Sequence, residues 1–277
     1  MVFARSRQTM SSHPELARLV ETVVSTKKYR SISPDLVSRL GAIELGKGRS
    51  WKEAVKATKN KLHQVGGAYL DRRLKYEFWR QYLLASMGDP VRLQDACREI
   101  MSNHISTRER LPILEEFYSR TLAEIGSVTS VLDLACGFNP LAIPWMPLSS
   151  ETHYYAYDIY TDLSEFLNEY FKIIGIIGVA GVKDIVEPVG SLPEVDVALL
   201  LKAVPCIEQQ NREGGLLLLD SIRARHIVVS FPVRSLTGRA KGMQTHYDAI
   251  FKRMISARTW KVRTVCFENE LAYIVTK

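Results

Sequence analysis

Apolar positions along the chain follow two different periods. From His13 to about Ile125 they recur every three or four residues: Leu16, Leu19, Val20, Val23 and Val24 in one stretch, then Leu36, Val37, Leu40 and Ile43. That spacing predicts amphipathic helices. Ser33-Pro34-Asp35 reads as a helix start, with serine at the cap and proline in the first turn. Ser50 caps a basic helix from Trp51 to about Val65, ended by Gly66-Gly67. A long aromatic-rich helix is expected over Leu70–Met87, closed by Gly88-Asp89-Pro90, and another over Val91–Met101. Thr107-Arg108-Glu109-Arg110 opens a last helix running to Ile125.

At Ser127 the period changes. Short apolar runs bounded by turn residues predict strands at 130–136, 152–160, 178–187, 195–202 and 226–232, with helices over 161–174, 208–222 and about 244–255. The run Val-Asp-Val-Ala-Leu-Leu-Leu at 195–201 is continuous, as in a strand covered on both faces. Strands alternating with helices predict a parallel α/β sheet. Residues 261–268 and 270–277 form a closing antiparallel pair across a turn at Asn269.

Charge divides at the same place. The chain of 277 residues has a formal net charge of +7. Residues 1–127 carry +8, residues 128–277 carry −1, and 27–80 alone carry +9. A basic part beside a near-neutral part suits one that docks on a polyanion and one that does something else. A solvated lysine-rich helical surface would look the same. At 46% hydrophobic and 24% charged the chain is globular. No apolar run approaches the ~20 residues that span a bilayer, and the first residues lack the apolar core of a secretory signal, so a cytoplasmic protein is expected. Cys97, Cys136, Cys206 and Cys266 are scattered with no CxxC pair, which argues against a metal site and for free thiols.

Candidate chemistry sits at the strand ends. Asp133-Leu-Ala135-Cys136-Gly137-Phe-Asn139-Pro140 closes the first predicted strand. In a doubly wound sheet ligands bind at the carboxyl ends of strands, near the switch point. The segment is not GxGxxG, and Pro140, Pro144 and Pro147 leave no clean helix N-terminus for a pyrophosphate. Asp158 ends the second strand and suits a ribose diol. Asp184 follows the third strand, where an adenine amino group could be met. One glycine and two aspartates in that order resemble the S-adenosylmethionine (SAM) site of Rossmann-like methyltransferases.

Longer blocks sharpen the resemblance. These are His104-Ile-Ser-Thr-Arg-Glu-Arg110, the DLACGFNPLA block, Leu-Leu-Leu-Lys202-Ala-Val-Pro-Cys206, Ser230-Phe-Pro-Val-Arg234 through Met243, and Asn269-Glu-Leu-Ala-Tyr-Ile. Together with Ser-Thr-Lys-Lys-Tyr-Arg30 and Lys-Leu-His-Gln-Val-Gly-Gly-Ala-Tyr69, they resemble the aminoglycoside-resistance 16S rRNA methyltransferases that modify N7 of guanine 1405. The resemblance covers nearly the whole chain. It implies a class I SAM-dependent methyltransferase fold, with a Rossmann-like sheet and a terminal antiparallel strand, in residues 106–277. An all-helical domain in residues 1–105 would dock on 16S rRNA in the assembled 30S subunit. A monomer is expected.

The resemblance also implies roles. His104, Thr107, Arg110, Asp133, Ala135, Gly137, Asp158, Ile159, Asp184, Ile185, Lys202 and Ala203 would hold SAM, with Arg110 reaching its carboxylate. Lys202, Arg239 and Met243 would serve the reaction. Lys27, Lys28, Arg30, Arg49, Lys52, Lys56, Lys59, Lys61, Arg72 and Arg73 would grip phosphates, joined by Arg234, Arg239 and Lys241 beside the target base. Guanine N7 carries a lone pair and no proton, so positioning against an activated methyl group is the main task, not proton removal. The segment Leu-Leu-Leu-Lys-Ala-Val-Pro at 199–205 agrees, since it is not the D/N-PP-Y/F type that serves exocyclic amines. Cys206 follows Pro205 as a cytosine-methylating nucleophile would, but its block matches the N7 family, and it reads as a packing cysteine. The alternatives are another SAM-dependent enzyme, such as one acting on adenine N1, and a non-catalytic ribosome-binding factor.

Overall fold

The computed structural model describes residues 14–67, 74–123, 125–186, 192–233 and 242–277. By its contacts the chain divides into two compact units. One is Met1–Ala68 with Ile159–Thr161, the other Tyr69–Asp158 with Asp162–Lys277.

The helical unit holds α1 (Pro14–Val24), α2 (Pro34–Gly46) and α3 (Trp51–Leu62), followed by a π-turn over His63–Gly67. Its caps are those the sequence announces. Ser33 Oγ accepts the Leu36 N–H at 3.4 Å, and Ser50 with Glu53 forms a reciprocal capping box before α3. Leu19, Val23, Leu36, Val37, Leu40, Ala54 and Leu62 make the core. Ile159 and Tyr160 pack against it, and the Ser33 N–H donates to the Ile159 carbonyl at 2.8 Å.

The larger unit starts with α4 (Tyr76–Ala85), α5 (Pro90–Met101), α6 (Ile105–Arg110) and α7 (Leu114–Leu122). Asp89 caps α5, its Oδ1 accepting from the Val91 and Arg92 N–H groups at 3.1 and 3.2 Å. A boundary at residue 105 is therefore not where packing divides the chain. Trp79 of α4 meets Phe138 edge to face at 5.6 Å, and Arg80 pairs with Glu169 at 3.1 Å, so these helices fold with the sheet. The helix expected over 107–125 breaks into α6, a 3-10 turn at Leu111–Ile113 and α7. Pro112 has no N–H to continue the ladder. The helix expected over Leu70–Met87 is observed from Tyr76 to Ala85 within the described residues.

The sheet contains β1 (Ser130–Leu134), β2 (His153–Asp158), β3 (Ile177–Val182), β4 (Val195–Leu201), β5 (Ala224–Pro232), β6 (Lys261–Cys266) and β7 (Glu270–Thr276). Its order is β3-β2-β1-β4-β5-β7-β6, with β1 to β5 parallel and β7 antiparallel between β5 and β6. The closing hairpin thus inserts its second strand, and β6 forms the edge. α8 (Thr161–Ile174) joins β2 to β3, and α11 (Met243–Ile255) follows β5. The helix expected over 208–222 is observed as α10 (Gly214–Ser221), preceded by a short α9 (Val204–Glu208). The Asn211 side chain accepts the Glu213 N–H at 3.1 Å between them, a turn that competes with helix.

Candidate active site

The strand order reverses direction between β1 and β4, which makes that gap the switch point where ligands bind in such sheets. Two residues other than glycine adopt the left-handed region among the described residues. They are Ala135 at φ 51°, directly after β1, and Lys202 at φ 58°, directly after β4. Each costs on the order of 1–2 kcal/mol relative to ordinary backbone. Strain of this kind persists where surrounding structure enforces it, and it concentrates at functional sites. Here it marks both lips of the switch point.

Gly137 lies two residues beyond Ala135 at φ 50°. A Cβ there would lie 2.8 Å from His104 Cε1 and 2.9 Å from Nε2, so only glycine leaves this backbone where it is. Its N–H donates to Asp158 Oδ2 at 2.8 Å, and the Cys136 N–H donates to the Tyr157 carbonyl at 3.1 Å. The Lys183 N–H in turn donates to the Asp158 carbonyl at 2.8 Å. The ends of β1, β2 and β3 are thereby tied together, and Gly137, Asp158 and Asp184 converge on one edge. Asp184 Oδ1 accepts the Val186 N–H at 3.1 Å, and Ile185 is buried in the sheet core. The segment after Gly137 is a 3-10 turn over Asn139–Trp145, as its prolines led one to expect.

Several expected cofactor ligands have protein partners of their own. Arg110 does not present a free fork to a ligand carboxylate. Its Nε and Nη2 donate to Glu270 at 3.1 and 2.7 Å, and Nη1 donates to Asn139 Oδ1 at 2.9 Å. Arg110 and Glu270 are both fully buried. Thr107 also points inward, its Oγ1 donating to the Met101 carbonyl at 2.7 Å. Asp133 is buried among Asn139 and Tyr154, whose Nδ2 and hydroxyl donate to Oδ2 at 2.9 and 2.8 Å. Ile159, partly buried, packs against the core of the helical unit. For Arg110 the physical reason is that the fold supplies Glu270, 160 residues away, a partner that a motif cannot display.

Lys202 is buried and held from three directions. Nζ lies 2.9 Å from Glu109 Oε2, 3.3 Å from Glu270 Oε2 and 3.3 Å from the Ser106 carbonyl. Its N–H donates to the Ser230 carbonyl at 3.0 Å, while Ser230 Oγ donates to Glu270 Oε1 at 2.5 Å. Burial works to raise the Glu270 carboxyl, but Arg110 and Lys202 outweigh it and hold the group below its ordinary value. Burial pushes Asp133 up to about 7, with the Asn139 and Tyr154 hydrogen bonds opposing. Burial, then the cations Arg110 and Lys202, push His104 down to about 3, so its ring is neutral. Glu270 is the residue that motif reading missed. The signal was present as a glutamate directly before the apolar run of β7, but its role needs the strand's place beside β5.

Met243 opens α11 behind Gly242. Arg234, Arg239 and Lys241 lie outside the described residues, as do Arg72 and Arg73. In the helical unit Lys27, Lys28, Arg30, Lys52 and Lys56 are exposed. Lys59 and Lys61 are half-buried, and the exposed Arg49 is tied to the buried Glu44.

The family model described as "Ribosomal RNA methyltransferase (FmrO)" matches residues 25–274. The chain belongs to this family. It is 36% identical over 273 residues to the 16S rRNA (guanine(1405)-N(7))-methyltransferase of Micromonospora rosea, covering 97% of this chain and 99% of that one. It is 38% identical over 271 residues to the protein of the same name from Frankia casuarinae, covering 96% and 95%. Among solved structures, the 16S rRNA methyltransferase RmtF in complex with S-adenosyl-L-homocysteine superposes with a TM-score of 0.81 at 32% identity, over 96% of this chain and 99% of that one. The 16S rRNA methylase RmtB superposes at 0.79 with 25% identity, over 96% and 100%. This member of the ribosomal RNA methyltransferase family therefore carries the fold at full length.

Proposed function

We propose that this protein transfers a methyl group from SAM to N7 of guanine 1405 of 16S rRNA in the assembled 30S subunit, giving resistance to 4,6-disubstituted aminoglycosides such as gentamicin and kanamycin. The observation that carries the reading is a full-length match to relatives named for that activity, on a chain whose strained backbone sits at the switch point. RmtF, its neighbour in structure, binds S-adenosyl-L-homocysteine, the product that SAM leaves behind. Gly137, at φ 50° with the His104 ring packed against it, holds the backbone at the end of β1, beside the switch point where such a ligand would lie.

SAM, when bound, supplies a methyl group on an already activated sulfonium. The protein's residues then need only bind, orient and exclude water. Gly137 and Ala135 bring backbone to the cofactor, Asp158 takes the ribose diol, and Asp184 with Ile185 borders the adenine. Lys202 and Ala203 stand beside the methionine arm and the target base. Arg110 acts at one remove: through Glu270 it fixes Lys202. His104 and Thr107 shape the floor under Gly137 and the start of α6. Met243, Arg239 and the basic residues Arg234 and Lys241 border the target nucleotide. The base must leave its stack to be reached, and arginine and methionine side chains suit holding it.

The exposed cations of the helical unit provide affinity without base reading, through phosphates of the folded 30S subunit. The protein works as a cytoplasmic monomer. No helix among the described residues is long and apolar enough to cross a membrane. Incubation of 30S subunits with labelled SAM, followed by mass spectrometry of the 16S fragment around 1405, tests the proposal. N7-methylguanine at 1405 is expected, and an unmodified 1405 overturns it.

A further inference from the structure

A cavity opens beside Phe231 near the carboxyl end of β5. It measures about 550 Å³ and lies between α9 with its following loop and α11. Its wall includes Glu208, Arg212, Phe231, His246, Tyr247 and Arg253. Phe231 and Tyr247 stack at 5.1 Å between centroids and 27° between planes, giving one flat aromatic side. His246, Arg212 and Arg253 are exposed. Glu208 is half-buried, and among the described residues no hydrogen bond or ion pair occupies its carboxylate. Burial holds the carboxyl above its ordinary value, with Arg253 and His246 opposing in part.

Place and chemistry together restrict what fits. α9 begins at Val204, immediately after the Lys202-Ala203 lip, and ends at Glu208. The helix rises about 1.5 Å per residue, so Glu208 stands roughly 6 Å along from that lip. Flipped bases are read by hydrogen bonds to the Watson–Crick edge and by aromatic packing. An ionised carboxylate is an acceptor only. Guanine offers two adjacent donors on that edge, N1–H and the 2-amino group; adenine offers an acceptor at N1 instead. The cations at the rim suit the flanking phosphates.

Resting on the proposed guanine-N7 activity, we propose that this cavity receives the flipped guanine and that Glu208 is the residue that selects it, accepting N1–H and the 2-amino group while N7 faces the switch point. Cys206 has no part in this step.

The test uses single-turnover methyl transfer on reconstituted 30S subunits with guanine or inosine at 1405, inosine lacking only the 2-amino group. Wild type, Glu208→Gln and Glu208→Ala are compared, with SAM affinity measured by calorimetry and folding by thermal melting. A bidentate base contact of this kind discriminates by roughly 10- to 100-fold. On guanine, Glu208→Gln is expected to slow transfer by about that factor while SAM affinity and melting stay unchanged. Inosine is expected to slow the wild type by about tenfold and Glu208→Gln by less than twofold. A wild-type rate for both variants on guanine overturns the assignment and leaves the N7 activity standing. A full inosine penalty in Glu208→Gln overturns it equally. A wild-type protein inert on guanine 1405 overturns the proposed function and this assignment with it.

Discussion

Arg110 and Glu270, 160 residues apart in the chain, form a fully buried ion pair, with Nη2 2.7 Å from Oε1. Glu270 also receives Ser230 Oγ at 2.5 Å and faces Lys202 Nζ at 3.3 Å, so one carboxylate fixes α6, β5 and the lip after β4. Removing one member of a buried pair leaves an uncompensated charge and costs about 3–5 kcal/mol. Arg110→Ala and Glu270→Ala should each lower the unfolding free energy by about that amount in urea titrations. The double variant should cost less than the sum of the two. A loss of SAM affinity with unchanged stability in Arg110→Ala would instead restore the direct ligand role that the resemblance implies.

Gly137→Ala combines a left-handed backbone with a Cβ 2.8 Å from His104 Cε1. The conformational part alone costs roughly 1–2 kcal/mol. The more telling effect is on the cofactor, because the chain must shift at the point of closest approach. Calorimetry should show SAM binding weakened at least tenfold, on the order of 1.4 kcal/mol or more. Asp158→Ala should do the same while 30S binding persists.

Two buried groups at the site oppose each other in pH. His104 is held near 3, below its unfolded value of about 6.5, so its contribution is present above about 6.5 and is lost as pH falls toward 3. Asp133 is raised to about 7, above its unfolded 3.8, so its contribution is present below about 4 and is lost as pH rises through 7. Urea midpoints measured from pH 4 to 8 should therefore diverge. Relative to wild type, Asp133→Asn should gain stability as pH rises from 4 to 7, and His104→Gln should gain it as pH falls from 6.5. Parallel curves for the two variants would contradict both assignments.

Lys52 and Lys56 are exposed on α3, whereas Arg49 is tied to Glu44. Reversing Lys52 and Lys56 to glutamate tests docking without disturbing that pair. The 30S affinity should fall and its dependence on salt should flatten, since each phosphate contact adds close to one unit to the slope. SAM binding should be unaffected; its loss would refute the division of labour between basic helices and sheet.

Local chemistry in the sequence determined much of this protein. Helical periodicity and serine caps placed α1, α2 and α3, because a cap is a contact between residues three apart. Continuous apolar runs placed the five parallel strands, and the closing strand pair followed from two such runs around Asn269. Gly137, Asp158 and Asp184 were legible as strand-end residues, since parallel strands bring their carboxyl ends to one edge whatever the loops do. Three things only the tertiary structure decided. Pairing across long sequence separation put Glu270 on Arg110 and Lys202, so that the arginine is buried in an ion pair. Helix packing set the boundary near residue 68, because Trp79 buries against Phe138 of the sheet unit. The left-handed turns at Ala135 and Lys202 are carried by residues with no local preference for them, and such strain persists only where the surrounding structure enforces it.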